Sequence, residues 1–80
     1  MATPGKKIFN NQHAIDTLAG NVLHYRTASK LTQKELAGRC DIDVRQVQRI
    51  EYGISDTKLS VIQSLADSLG VTISDLLTKR

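Results

Sequence analysis

The 80-residue chain has one cysteine, Cys40, so no internal disulfide can brace it, and a fold without one is expected in a reducing cytoplasm. There is no Trp and a single Phe, which leaves Leu, Ile, Val and Ala on helices to build the core in place of a large aromatic cluster. No apolar run approaches the ~20 residues that cross a bilayer, and the amino end lacks the apolar centre of a secretory signal. The expectation is a soluble, cytoplasmic protein with no membrane partner.

Catalytic machinery is also lacking. No glycine-rich phosphate loop and no nucleophile–base spacing occurs in the sequence. His13 and His24 stand eleven residues apart, about 16 Å along one helix, too far to share a metal. Cys40 falls at an inward position, which predicts a buried, unreactive thiol. No enzyme activity, cofactor, small-molecule ligand or metal is expected. Nor is there an internal repeat, a low-complexity segment or room for two cores, because a chain of this size buries only about 60% of its unfolded surface.

What remains is basic and locally patterned. The formal charge is +3 and the pI about 9.3, modest for a nucleic-acid binder, so placement matters more than the total. Lys34, Arg39, Arg45 and Arg49 all fall within residues 31–53, LTQKELAGRCDIDVRQVQRIEYG. Thr32 with Glu35 three residues on forms a capping box that starts a helix at Gln33. Leu36, Ala37 and Cys40 face inward at helical spacing, with Lys34, Glu35 and Arg39 on the wet side. Cys40 to Asp43 reads as a turn with Asp43 as the next cap. A third helix follows from about Val44 to Tyr52. Its inward pair, Val47 and Ile50, turns Val44, Arg45, Gln48 and Arg49 outward or to the flank, with Gln46 on the outer edge.

These residues resemble the phage repressor and Cro-like (XRE-type) helix-turn-helix domains of small bacterial regulators. The shared pattern is Gln33 opening helix two, Leu36-Ala37 in its middle, the cap Asp43, the inward Val47 and Ile50, and Glu51 ahead of Gly53. Small Ala37 suits a close helix crossing. Asp41 stands where the family usually has Gly, and Tyr52 where Asn is common.

The flanks fit the same plan, so that the resemblance runs from about Ile15 to Leu77. Residues 1–11, with Pro4, Gly5, Lys6 and Lys7, read as a flexible arm in which the lysines could touch DNA, or Ile8 and Phe9 could pack on protein. The domain proper is then 12–80. Helix one carries Ala14, Ile15, Leu18, Ala19, Val22 and Leu23 in an inward stripe, with Gly20 marking a close approach of another helix. The Ser29-Lys30 link, where the family often has Gly, predicts a less sharp end to that helix. Thr57 or Asp56 is expected to cap helix four, whose inward residues are Leu59, Ile62, Leu65, Ala66 and Leu69, with Gly70 ending it. Val71 then enters the core, and a short last helix capped by Thr72 or Ser74 holds Ile73, Leu76 and Leu77.

The resemblance implies an all-α, compact five-helix lambda-repressor-like DNA-binding domain with a central helix-turn-helix. It implies that Val44, Arg45 and Arg49 reach base edges in the major groove, with Gln48 at the flank. Thr32, Gln33, Lys34, Tyr52 and Gly53 fall at phosphate-contacting positions. It also implies an Arg26–Glu51 ion pair. The expected partner is double-stranded DNA carrying a palindromic operator. One short helix reads few base pairs, so a homodimer is expected, with Ile54, Val61, Ile73 and Leu77 as interface candidates. The function read from this is a transcriptional regulator, a repressor or controller of its own operon. The alternative is an antitoxin-like protein-interaction module with secondary DNA binding, which steep salt dependence would argue against.

Overall fold

The computed structural model describes residues 11–80, and the arm expected over residues 1–11 lies outside them except for Asn11. That residue belongs to the fold, since its side chain accepts the Ala14 amide as the cap of the first helix. Five helices follow among the described residues: α1 Gln12–Ala28, α2 Gln33–Cys40, α3 Val44–Glu51, α4 Leu59–Leu69 and α5 Ile73–Leu77. None is long and apolar enough to cross a membrane.

Each helix short of fourteen or so residues is marginal alone, so packing must supply what propensity does not. Leu18, Val22, Leu36, Ala37, Val47, Ile50, Ile62, Leu65, Ala66, Leu69 and Leu76 form one core. Here α3 is gripped between α1 and α2, α4 closes on α2, and α5 lies across α1 and α4. Tyr25, Leu31, Cys40, Val61, Val71 and Ile73 pack against this cluster while only half-buried.

The starts of α2 and α5 are both capping boxes. Thr32 accepts the Glu35 amide and Glu35 accepts that of Thr32, and Thr72 and Asp75 repeat the exchange. Several details depart from the expected pattern. Helix four has Lys58 at its cap with no side-chain bond, because the Thr57 hydroxyl turns back to Ser55. Leu59, at its first position, is 67% exposed and outside the core. In α1, Ala14 and Leu23 are exposed, since the stripe that meets the core is narrower than the apolar pattern and includes Asn21 and Tyr25 in their place. Leu77 likewise points outward, at 46% exposure.

A Cβ added at Gly20 would meet no atom of another helix within 4 Å among the described residues, so Gly20 marks no close approach. The end of α1 is sharp, because Lys30 itself takes the left-handed conformation at φ 59, letting Leu31 N–H reach the Arg26 carbonyl. Buried Asn21 was not anticipated. Its amide donates to the carbonyls of Leu76 and Thr78 and its oxygen accepts from Arg80, so it binds the carboxyl-terminal segment to α1.

Candidate nucleic-acid interface

The turn between α2 and α3 sets their crossing. Asp41 adopts the left-handed conformation at φ 55, ψ 45, a state that Asp tolerates better than most side chains. Its amide and that of Ile42 close on the carbonyls of Gly38 and Ala37. Two residues later Asp43 caps α3, its Oδ1 accepting the Arg45 amide at 2.8 Å. That bond holds the Asp43 carboxyl below the ordinary carboxylate range.

From this start α3 is sharply two-sided. Val47 and Ile50 are 0% and 1% exposed, whereas Arg45 and Arg49 lie in solvent. The Arg45 side chain is 83% exposed, with its Nε 3.5 Å from Asp43 Oδ1. Gln46 and Gln48 are half-buried at the flanks. Val44 is also half-buried and packs against the core, so only part of its surface remains for an outside contact. The helix ends at Glu51 with Tyr52 as its C-cap, a residue earlier than expected.

The Arg26–Glu51 pair is present and ties three helices together. Arg26 Nε meets Glu51 Oε2 at 2.6 Å and its Nη2 meets Oε1 at 3.0 Å. The side chains are 12% and 3% exposed. Arg26 also donates through Nη1 to the Leu31 carbonyl at 2.8 Å. Gln33 donates its amide to Glu51 Oε1 at 2.9 Å. The first residue of α2, the last turn of α1 and the last residue of α3 therefore share one buried carboxylate. Sequence spacing offered no sign of the Gln33 bond, because its partner lies 18 residues away.

The positions expected at the backbone of a duplex are placed unevenly. Thr32, Lys34 and Tyr52 are exposed, Tyr52 at 71%. Gln33 is half-buried, one of its two amide hydrogens being spent on Glu51. The capping box uses the amides of Thr32 and Glu35, and among the described residues those of Gln33 and Lys34 have no protein acceptor.

Gly53, expected among the backbone contacts, has both of its polar backbone groups engaged within the protein. It is buried, its N–H is donated to the Ile50 carbonyl, and its own carbonyl accepts from Gln12 at 2.9 Å. The next amide, of Ile54, is taken by Arg49. Gly53 serves geometry instead, since at φ 74 a side chain is strained and a Cβ there would come 2.9 Å from Asp16 Oδ1.

Cys40 is half-buried, its Sγ 3.3 Å from the Ser68 hydroxyl. Among the described residues no group of three or more His, Cys, Asp or Glu could hold a metal ion.

A model of the helix-turn-helix family HTH_3 matches residues 23–76. Among solved structures the chain is similar to the hypothetical transcription factor NHTF from Neisseria. That likeness has a TM-score of 0.81 and 28% identity and covers 98% of this chain and 88% of that one. It is also similar to the restriction-modification controller protein C.AhdI from Aeromonas hydrophila, with a TM-score of 0.75 and 27% identity, over 78% and 94% of the two chains. The clp gene regulator ClgR from Corynebacterium glutamicum shares the fold, at a TM-score of 0.77 and 20% identity over 80% of this chain and 68% of that one. No curated protein matches at a significant level. With residues 23–76 matching and the capped turn between α2 and α3 in place, the chain belongs to the HTH_3, XRE-type helix-turn-helix family.

Proposed function

We propose that this helix-turn-helix protein regulates transcription by binding double-stranded DNA, with α3 in the major groove and α2 across the backbone. The observation that carries the reading is the division of α3: Val47 and Ile50 are sealed into the core while Arg45 and Arg49 lie wholly on the other side, free of it. Two exposed arginines one turn apart on a short helix match the fork that bonds guanine O6 and N7. Half-buried Val44 offers a methyl edge to thymine, and Gln48 flanks them. Thr32, Gln33, Lys34 and Tyr52 supply the phosphate contacts. The Thr32 hydroxyl still has its own proton to give, and the amides of Gln33 and Lys34 at the positive end of α2 favour an anion.

The finer reading is a repressor or controller of its own operon that binds a palindromic operator as a homodimer. A single α3 spans too few base pairs for useful selectivity, and two copies on a two-fold-related site double the contacts. Ile54 and Leu77, expected at the interface, are 58% and 46% exposed and fit that role. Leu59, at 67%, joins them. Val61 and Ile73 are partly spent on the core.

Selection of bound sequences from a random duplex pool, followed by titration against salt, tests the proposal. The expected result is an enriched two-fold-symmetric sequence whose affinity falls steeply with ionic strength, by a log–log slope of about −0.9 per phosphate neutralised. No enrichment, or affinity indifferent to salt, overturns it.

A further inference from the structure

Asp43 places a negative charge at the end of α3 that meets DNA in the proposed reading, where it faces a polyanion. Capping alone does not call for that charge, because Asn or Ser caps a helix about as well. Nor does the ion pair with Arg45 serve folding. The two side chains are 83% and 58% exposed, and pairs so wet contribute little. What distinguishes Asp43 is that one oxygen, Oδ1, both accepts the Arg45 amide at 2.8 Å and stands 3.5 Å from the Arg45 Nε. The backbone bond fixes the carboxylate, and the fixed carboxylate stands beside the head of a side chain that has no other partner among the described residues. It is charged throughout the neutral range, since the same backbone bond holds the carboxyl below its ordinary range.

We propose that Asp43 is a positioning residue that sets DNA sequence selectivity: it holds the Arg45 guanidinium by its Nε side so that the Nη pair is presented to a guanine edge. This rests on the reading of Arg45 as a base contact. The consequence is twofold. On the right sequence the fork arrives already ordered, which saves part of the rotamer entropy that a long side chain loses on binding. On the wrong sequence Arg45 cannot swing to a phosphate without leaving Asp43 unpaired against the backbone charge. Such an arrangement raises discrimination more than affinity.

A double-mutant cycle tests this, with affinity measured for a duplex selected from a random pool and for a shuffled duplex of equal length and composition. The proteins are the wild type, Asp43→Asn, Arg45→Ala and the double variant, with Asp43→Ser as a second cap-competent change. Thermal melting followed by circular dichroism checks that each is folded. Asp43→Asn and Asp43→Ser are expected to lower the selected-to-shuffled affinity ratio by about threefold to fivefold, the upper part of what an exposed ion pair can supply. In the Arg45→Ala background the same change is expected to leave the ratio within about twofold, because the head it orients is gone. Asp43 variants that keep the full ratio while Arg45→Ala lowers it overturn the proposal. So does a drop of equal size with Arg45 absent, which assigns Asp43 a base contact of its own. If Arg45→Ala alone leaves the ratio unchanged, the base reading beneath the proposal fails, and the proposal with it.

Discussion

Truncating Glu51 strands the Arg26 guanidinium, whose side chain is 12% exposed and which, among the described residues, donates two of its three hydrogen bonds to that carboxylate. An uncompensated charge at that depth costs about 3–5 kcal/mol, a large part of the stability of a small domain. Glu51→Ala is therefore expected to shift the urea midpoint far down. Gln33→Ala loses only one bond to the same carboxylate and is expected to cost about 1–2 kcal/mol. In the proposed reading of Gln33 as a phosphate contact, it is also expected to weaken selected and random DNA alike. A urea series on the two variants that gave equal losses would contradict this ranking. The pair itself was legible because the resemblance places Arg26 and Glu51 together. Asn21 was not, since a polar residue on an apolar stripe reads as surface, and the carbonyls that bury it lie 55 and 57 residues away.

The elements are closed by backbone choices that single substitutions can weigh. Lys30 holds φ 59 and Gly53 φ 74, and a side chain pays about 1–2 kcal/mol in that region where Gly pays little. Lys30→Gly is thus expected to raise stability by about 1 kcal/mol. Gly53→Ala is expected to lower it by about 1–2 kcal/mol, with Asp16 having to move as well. Gly20→Ala, mid-helix with open space around it, is expected to gain about 0.5–1 kcal/mol. Thermal melts of the three variants check the signs, and a destabilised Lys30→Gly would show that the lysine is held for another reason.

The caps add a pH dependence. Backbone amides of Thr32 and Arg45 hold Glu35 and Asp43 below their ordinary range. Their contribution is complete above that range and is lost as pH falls through the lowered folded values. Glu35→Gln, which keeps the capping box but cannot ionise, is expected to flatten the acid limb of a urea-midpoint profile. Helix starts were legible wherever Thr or Asp supplied an acceptor. The start of α4 was not, because Lys58 caps it with backbone alone and Thr57 bonds to Ser55.

At the scale of the molecule, the order of helices and the centre of the core followed from spacing, since Leu36, Val47, Ile50, Leu65 and Leu76 sit where period and resemblance put them. The rims did not follow. Leu23, Leu59 and Leu77 continue apolar stripes that the globule is too small to cover, and periodicity marks a face without saying how wide its partner is. With Ile54 they leave large apolar side chains in solvent, which the proposed homodimer would cover. Sedimentation at micromolar concentration is expected to show a dimer, or dimer formation on the selected duplex.

Regulation of transcription by this domain, as proposed, depends on the outer face of α3 reading sequence. Its most direct test is the affinity of the Arg45→Ala/Arg49→Ala double variant for the selected duplex and for a shuffled one, alongside the wild type. The buried face of α3 is untouched by these changes, so the fold is expected to hold in a thermal melt. Selected-duplex affinity is expected to fall by about 2–6 kcal/mol, or about 1–3 for each lost contact, while shuffled-duplex affinity drops only by the smaller share due to two charges. Equal losses on both duplexes, or an undiminished preference for the selected one, would contradict it.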